Sequence, residues 1–279
     1  MKIVIYHLNC NDGFGSALVA WTKLGDDVEY YPAAHYSNPP DVKGKEVYIL
    51  DFSYKKDIML KMIEEANSLI IIDHHKSAEK DLEEIPDKNK IFNMNNSGAV
   101  LTWKYFYPKT TVPKLLQYIE DRDIWKNEML YSKECFFGLN QIDKKFIKWN
   151  LYLTYENKIQ ELIESGKIIL KHNNDLINFV CKSAYLLNHK LINQKSYNIA
   201  YLNSNILKSD LGNHLVEKFF PDSDFAVIYH YDGQYNKTIF SLRSLDSKID
   251  VSQIAELYKG GGHRNASGLA LEGFHNQLI

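Results

Sequence analysis

Several features are scarce in this sequence, and each scarcity excludes a class of protein. No apolar run reaches the roughly 20 residues that cross a bilayer, so the sequence predicts no membrane segment and no membrane partner. The three cysteines are odd in number and widely spaced, which does not fit a disulfide framework. They fit a reducing compartment, and we expect a cytoplasmic protein.

Net charge and arginine are scarce as well. The formal net charge is only −2, so no whole-protein field attracts long nucleic acids, although a local basic groove remains compatible with it. Of the 33 basic residues only Arg122, Arg243 and Arg264 are arginines. Because a guanidinium group binds phosphate in a planar two-point geometry that lysine lacks, these positions are candidates for phosphate recognition.

Apolar material, by contrast, is plentiful. With 279 residues, 45% of them hydrophobic, the chain exceeds the usual domain size of about 100 to 150 residues and predicts two domains. Strand-like runs at residues 2–6, 28–32, 46–50 and 68–72 alternate with helical patterns. This alternation predicts an α/β domain with a parallel sheet and right-handed crossovers.

Polar side chains follow three of these runs at the point where each run ends. His7 follows the first run, Asp51 the third, and Asp73-His74-His75 the fourth. The carboxyl ends of parallel strands meet at the edge where open α/β sheets hold ligands, so we expect these side chains to converge. One such ending is ordinary, but three predict a site.

Further carboxylates lie in two segments outside the strands. Asp12 lies in a glycine-containing loop before a predicted helix, and residues 120–125 carry four charges between apolar anchors. From the residues alone, the second segment fits a solvated helix end as well as a site. Mixed carboxylates and imidazoles suit Mn(II) and similar divalent ions, and this number could hold two ions with one Asp bridging them.

The second half of the chain predicts a connector and a smaller domain. Residues 155–192 are predominantly helical in pattern, and residues 197–203, 225–231 and 238–242 predict strands of a second α/β unit. We therefore expect a first domain at 1–152, a helical connector at 153–192 and a second domain at 193–279. The second domain ends in a glycine-rich loop at 260–268, where backbone N–H groups could approach a phosphate.

With these motifs in view, the sequence resembles the DHH phosphoesterases that carry a DHH-associated C-terminal domain. That family includes RecJ-type exonucleases, NrnA-type oligoribonucleases and cyclic-dinucleotide phosphodiesterases. Its name motif stands here as Asp73-His74-His75, and its second signature as residues 260–268, preceded by 241–244 and 251–255. The two motif groups occur in the right order and cover most of the chain.

The resemblance implies two divalent ions, Mn(II) first among them, in a cleft between the two domains. His7 and Asp51 would serve one ion, and the other would be held by Asp12, Asp51, His74 and Asp121, with Asp51 bridging. Asp121 is preferred to Asp123 because residues 118–121 look like the apolar segment that closes on the family's fourth-motif Asp. His75 would lie toward the substrate phosphate, and Asp73 would orient an imidazole.

One position departs from the family pattern. The first motif usually carries two Asp one residue apart, and the earlier of them falls here on Cys10. A thiolate can bind a metal but prefers softer ions than Mg(II) or Ca(II). A buried Cys that binds no metal is an equally good interpretation.

The function implied by the resemblance is hydrolysis of short oligonucleotides, dinucleotides or cyclic dinucleotides to mononucleotides. The C-terminal domain would bind substrate through Arg243, Gly260, Gly261, Gly262, His263, Arg264 and Ser267. A RecJ-like single-strand exonuclease and a catalytically impaired DHH scaffold or binding module are the alternatives. A pyrophosphatase of the superfamily fits less well because its C-terminal domain lacks the glycine-rich signature. The sequence is also compatible with a homodimer.

Overall fold

Two units make up this computed structural model, which describes residues 1–34 and 37–278. They comprise Met1–Leu170 and Lys171–Ile279. The expected limits of 1–152, 153–192 and 193–279 remain a prediction. Among the described residues, no helix combines the length and apolarity needed to cross a membrane.

The first unit contains a five-stranded parallel sheet with the order β2-β1-β3-β4-β5. Its strands are β1 (Lys2–His7), β2 (Glu29–Ala33), β3 (Glu46–Leu50), β4 (Ser68–Asp73) and β5 (Lys90–Phe92). The predicted parallel α/β sheet is confirmed. Strand order reverses between β1 and β3, since the chain moves outward to β2 on one side and to β4 and β5 on the other.

Helices lie on both faces of this sheet. The helices of the first unit are α1 (Asn11–Leu24), α2 (Lys56–Glu65), α3 (Lys76–Asp81), α4 (Gly98–Phe106), α5 (Lys114–Asp123), α6 (Ser132–Leu139) and α7 (Phe146–Thr154), and α8 (Ile159–Val180) begins in this unit and ends in the second. Ile49 and Ile71 pack with Met59 of α2, while Leu50 and Ile72 pack with Leu101 of α4. Adjacent strand residues thus enter opposite cores, which explains why these strands are apolar throughout.

The second unit contains a six-stranded mixed sheet with the order β10-β11-β9-β8-β7-β6. Its strands are β6 (Tyr185–Lys190), β7 (Ser196–Asn203), β8 (Phe225–Asp232), β9 (Lys237–Arg243), β10 (Gly261–His263) and β11 (Ala266–Glu272). Only the β7–β8 pair is parallel. Two short helices accompany the sheet, α9 (Lys208–His214) and α10 (Val251–Glu256). The smaller α/β unit is confirmed.

Two local predictions are wrong in this unit. The helical pattern was expected to run to residue 192, but α8 ends at Val180 and β6 begins at Tyr185. Residues 185–190 alternate between half-buried and exposed, a strand period, and pair with β7 along their whole length. The glycine-rich segment is not a loop but the β10–β11 hairpin, with Gly262 opposite Ser267.

Candidate metal centre

Three neighbouring parallel strands bring the predicted polar residues to one edge of the first sheet. His7 ends β1, Asp73 ends β4, and Asp51 follows β3 directly. Asp51 has φ +53°, a left-handed conformation that is uncommon for a residue with a side chain, and its N–H donates to the Ile72 carbonyl at 2.9 Å. Backbone strain of this kind is tolerated mainly at functional sites.

The Asp51 carboxylate lies between two imidazoles. Its Oδ2 is 3.6 Å from Nδ1 of His7, and its Oδ1 is 3.1 Å from Nε2 of His74. Burial would raise the Asp51 pKa, but the two nearby imidazoles outweigh burial and lower it to about 2. Asp51 is therefore an anion whose two oxygens face two different sets of donor atoms.

These donor atoms form three overlapping groups with metal-binding spacing. The first group comprises His7, Cys10 and Asp51, and the second comprises Asp12, His74 and Asp123. The third comprises Asp51, Asp73, His74 and His75, so Asp51 belongs to two groups. Within each group the candidate ligand atoms lie within 4.8 Å of one another. Asp51 connects the groups because its Oδ1 contacts His74, which also lies 3.6 Å from Asp12 Oδ2 and 3.3 Å from Asp123 Oδ2.

The cluster carries more negative charge than its own side chains neutralise. Burial, with the charge of Asp51 second, raises the Asp12 pKa well above its usual range and raises the Asp123 pKa to about 6. Asp51 Oδ2 and Asp73 Oδ2 are buried without a hydrogen-bond partner among the described residues. Crowded carboxylates with unused oxygens are the environment that a divalent cation stabilises, so the donor set fits the implied ions.

Asp12 is held by the start of α4. Its Oδ2 accepts from the Gly98 N–H at 2.5 Å and its Oδ1 from the Ala99 N–H at 2.9 Å. A Cβ on Gly98 would lie 2.5 Å from the Asp51 Cβ and 2.9 Å from Asp12 Oδ2. Only glycine allows α4 to approach both carboxylates, and sequence reasoning took residues 95–99 as no more than a helix start.

Asp121 and Asp123, the two Asp carboxylates near the end of α5, have different surroundings. Asp123 is in the second donor group, whereas Asp121 Oδ1 accepts from the N–H groups of Glu128 and Met129 at 2.8 and 3.2 Å. Two residues on a helix point about 200° apart, so α5 can turn only one of these carboxylates toward His74. Asp121 instead fixes the chain that follows α5, although its Oδ2 is buried without a hydrogen-bond partner among the described residues.

Asp73 and His75 form a close pair at the end of β4. Asp73 Oδ1 lies 2.6 Å from Nδ1 of His75 and accepts from the N–H groups of His74 and His75 at 2.7 and 3.2 Å. The hydrogen bond to Asp73 raises the His75 pKa to about 9, although burial opposes the shift. His75 is therefore a half-exposed cation at neutral pH, and Asp73 orients its ring.

Cys10 belongs to the first donor group, and Lys144 lies near Cys10. Cys10 precedes α1, and burial together with the charge of Asp51 raises its pKa to about 12, so a cation would be needed to hold it as a thiolate. The Lys144 Nζ donates to Oδ1 of Asn11 at 3.0 Å, and burial lowers the Lys144 pKa. Sequence reasoning missed Lys144, because nothing local signals a contact across 133 residues.

The predicted substrate residues of the second unit are arranged differently. Nη2 of Arg264 donates to the carbonyls of Asp246 and Lys248 at 2.8 and 3.1 Å. Nη2 of Arg243 donates to Ser209 Oγ at 2.6 Å, and Ser267 Oγ donates to the His263 carbonyl at 2.8 Å. These side-chain donors therefore already form hydrogen bonds within the second unit.

The glycines of the hairpin differ in how much space surrounds them. A Cβ on Gly260 would lie 2.3 Å from the Gly268 carbonyl oxygen, and Gly262 combines φ +143° with a Cβ position 2.6 Å from the Ala266 carbonyl oxygen. Both positions are closed to larger residues by the backbone. A Cβ on Gly261 would meet no described atom within 4 Å, so Gly261 leaves its backbone accessible.

Comparison with known proteins gives two relatives over nearly the whole chain. An uncharacterized protein of Acanthamoeba polyphaga mimivirus is 35% identical over 295 aligned positions, covering 100% of this chain and 69% of that protein. Oligoribonuclease NrnB of Bacillus subtilis strain 168 is 23% identical over 302 positions, covering 96% of this chain and 73% of that protein. No protein-family model matches the sequence.

A solved structure shares the fold. The pGpG-specific phosphodiesterase PggH from Vibrio cholerae aligns with a TM-score of 0.54 over 97% of this chain and 92% of that chain, at 13% sequence identity. Such low identity concerns the fold alone, whereas the relatives above also share the sequence. From these relatives and the Asp73-His74-His75 motif that ends β4, the chain belongs to the DHH phosphoesterase family.

Proposed function

We propose that the protein is a phosphodiesterase that uses two divalent ions, most suitably Mn(II), to hydrolyse short oligonucleotides or linear or cyclic dinucleotides to mononucleotides. The observation that carries the proposal is the position of Asp51. Its two oxygens face separate imidazoles at 3.6 and 3.1 Å, and each imidazole belongs to a different donor group. One carboxylate shared by two groups is the arrangement that a pair of ions requires.

Each donor group matches the chemistry of the proposed ions. His7 and Asp51, with Cys10 beside them, would hold one ion, and Asp12, Asp51, His74 and Asp123 would hold the other. Oxygen and imidazole ligands suit Mn(II), while the single thiol in the first group would shift its preference toward softer ions. When bound, such a pair stabilises the charge of a phosphoryl group and activates a water molecule for in-line attack.

The protein's own groups position the substrate phosphate. His75 is protonated through its contact with Asp73, so its second ring nitrogen can donate a charged hydrogen bond to a phosphate oxygen. Asp73 supports this by fixing the ring and its protonation state. No protein nucleophile is needed.

In the second unit we assign substrate contacts to His263 and to the backbone at Gly261. His263 is exposed, and the backbone at Gly261 is accessible. Arg243, Gly260, Gly262, Arg264 and Ser267 would then support the hairpin that presents these two residues. The assignment follows from the contacts above, in which the two arginines already donate within their own unit.

The substrate class is supported by the relatives and by charge. One relative is named as an oligoribonuclease, and the protein that shares the fold is named as a pGpG-specific phosphodiesterase. A net charge of −2 with three arginines supplies few phosphate contacts for a long strand. A short substrate needs only the ions at one phosphate and a few contacts at its end.

The test starts from chelator-treated protein reconstituted with Mn(II), Mg(II), Ca(II) or Zn(II). We expect two bound ions per chain by elemental analysis and cleavage of di- to pentanucleotides with Mn(II). Full turnover in excess chelator would refute the proposal. A kcat/KM that is higher for a strand of about twenty nucleotides than for a dinucleotide, and that falls steeply with salt, would favour the RecJ-like alternative.

A further inference from the structure

Trp125 is an exposed aromatic side chain two residues beyond Asp123, a member of the second donor group. All four tryptophans lie in the described part of the chain, and among them Trp125 alone is exposed, with 75% of its surface accessible. Trp149, by comparison, is completely buried. Leaving a large apolar ring in water sacrifices the roughly 1.5 to 3 kcal/mol that burial of a large apolar side chain gives, so the core does not explain this residue.

The indole is nevertheless held in place. The Arg122 guanidinium lies 5.4 Å from the centre of the Trp125 ring and 5.6 Å from that of Phe136, so it contacts both rings. Arg122 also donates to the Asn127 side chain, whose Nδ2 donates to the Trp125 carbonyl at 3.0 Å. A cation–π interaction with Arg122 therefore holds the ring, while most of the ring surface faces solvent.

The backbone fixes this arrangement further. Trp125 and Asn127 have φ +59° and +52°, in the left-handed region that residues with side chains seldom adopt. Neither residue is glycine, so each position costs on the order of 1 kcal/mol or more. The strain lies in the segment that leaves α5 and carries the exposed ring.

The chain limits the distance between the backbone of Trp125 and that of the metal centre. Asp123, two residues earlier, has its Oδ2 3.3 Å from Nε2 of His74. Consecutive Cα atoms are about 3.8 Å apart, so the Trp125 Cα lies within about 7.6 Å of the Asp123 Cα. A nucleobase attached to a sugar next to the reacting phosphate extends over a comparable distance.

We infer that Trp125, supported by Arg122, is a stacking platform for a nucleobase of the substrate whose phosphate lies at the metal centre. This inference rests on the proposed function and extends it from the phosphate to the base. Stacking on an aromatic ring tolerates every base because each base has a π face, so the platform accepts purines and pyrimidines alike. It also discriminates nucleotides from phosphodiesters without a flat ring.

The experiment compares the Mn(II)-loaded wild-type protein with Trp125→Ala, Trp125→Phe and the control Tyr155→Ala, which removes another exposed aromatic of the first unit. The substrates are a diadenosine dinucleotide and its analogue without the base on one side of the scissile phosphate. We expect Trp125→Ala to raise KM for the dinucleotide about 5- to 150-fold and to leave the kinetics of the abasic analogue unchanged. Trp125→Phe should restore most of the affinity, and Tyr155→Ala should match wild type.

A direct binding measurement accompanies the kinetics. A methylenephosphonate dinucleotide, which cannot be hydrolysed, should quench tryptophan fluorescence of the wild type, and this part of the quench should vanish in Trp125→Phe. The abasic form of the same probe should not quench. Normal turnover of the abasic substrate by Trp125→Ala shows that this variant is folded and loaded with metal.

The outcomes separate the inference from the function on which it rests. If wild type hydrolyses both substrates with equal KM, or if Trp125→Ala raises KM equally for both, the stacking platform is refuted while the phosphodiesterase stands. If wild type hydrolyses neither substrate and neither probe binds, the proposed function fails and the platform fails with it.

Discussion

The two polar regions of this protein differ in how far their polar side chains are satisfied by hydrogen bonds within the protein. At the first sheet's edge, Asp51 and Asp73 are buried with one oxygen each that lacks a hydrogen-bond partner among the described residues. In the β10–β11 region, Arg264 and Ser267 donate to carbonyl groups of their own unit. A buried polar atom without a partner is expensive, so Asp51 and Asp73 favour a ligand, whereas Arg264 and Ser267 stabilise the fold of the second unit. The β10–β11 region has a comparable atom among its described residues, Oδ1 of Asn265.

The largest effect should come from Asp51. We expect Asp51→Asn to lower kcat/KM roughly 10³-fold or more, because a neutral amide cannot bridge two cations that supply several kcal/mol of transition-state stabilisation. The bound metal should fall below two ions per chain in elemental analysis. Asp143→Asn, which changes an exposed carboxylate of the same unit, is the control. Near-normal activity of Asp51→Asn would show that this carboxylate does not bind an essential ion, and the proposed difference between the two regions would no longer hold.

Asp123 and Asp121 provide a matched pair on one helix. Asp123→Asn should weaken the second ion about 10- to 100-fold, a typical loss for a disturbed metal site, with little change in unfolding free energy. Asp121→Asn should keep both ions but lower the unfolding free energy by about 1 to 3 kcal/mol, because it accepts two backbone N–H groups. Metal titration and urea unfolding of both variants distinguish the two roles. Metal loss in Asp121→Asn, with unchanged metal binding in Asp123→Asn, would identify Asp121 as the ligand.

Arg264 tests the structural role of the second region. Arg264→Ala should lower the unfolding free energy by about 1 kcal/mol, because two hydrogen bonds to carbonyls are lost from a half-exposed side chain. His263→Ala, at a neighbouring exposed position, should leave stability unchanged and raise KM. If Arg264→Ala instead raises KM at constant stability, its guanidinium binds substrate.

The smallest effect concerns the His75–Asp73 pair and pH. Because the fold raises the His75 pKa to about 9, above the ordinary value of about 6.5, the pair stabilises the metal-free protein below pH ~6.5. This contribution is lost as pH rises through 9. An NMR titration of the imidazole should show the raised pKa, and Asp73→Asn should return it toward the ordinary value. A wild-type pKa near 6.5 would contradict the charge we assign to His75.

The family, the parallel sheet and its polar strand ends were accessible from the sequence because each is encoded locally. Runs of four apolar residues followed by His or Asp indicate both the strand and the residue at which it ends. The different surroundings of Asp121 and Asp123 were not accessible, since they depend on how α5 rotates against its neighbours. Lys144 and Gly98 likewise require contacts that chain order does not record.

The errors in the second unit have a different cause. β6 was predicted as helix because its residues follow a 22-residue helix without an obvious break, and strand pairing with β7 overrides that local pattern. The hairpin was taken for a loop because glycine indicates freedom as readily as close packing. The backbone distances at Gly260 and Gly262 show that close packing applies at these two positions.

The hydrogen bonds from the first turn of α4 to Asp12 connect the proposed ion site with the main chain. The N–H groups of Gly98 and Ala99 belong to the backbone, so no substitution other than proline removes them, and they exist in this position only while the first turn of α4 is formed. By thermodynamic linkage, an ion that binds only this arrangement must lower the population of molecules in which that turn is open. Hydrogen exchange at the start of α4 would therefore report ion occupancy without any measurement of turnover, even in variants that have lost activity.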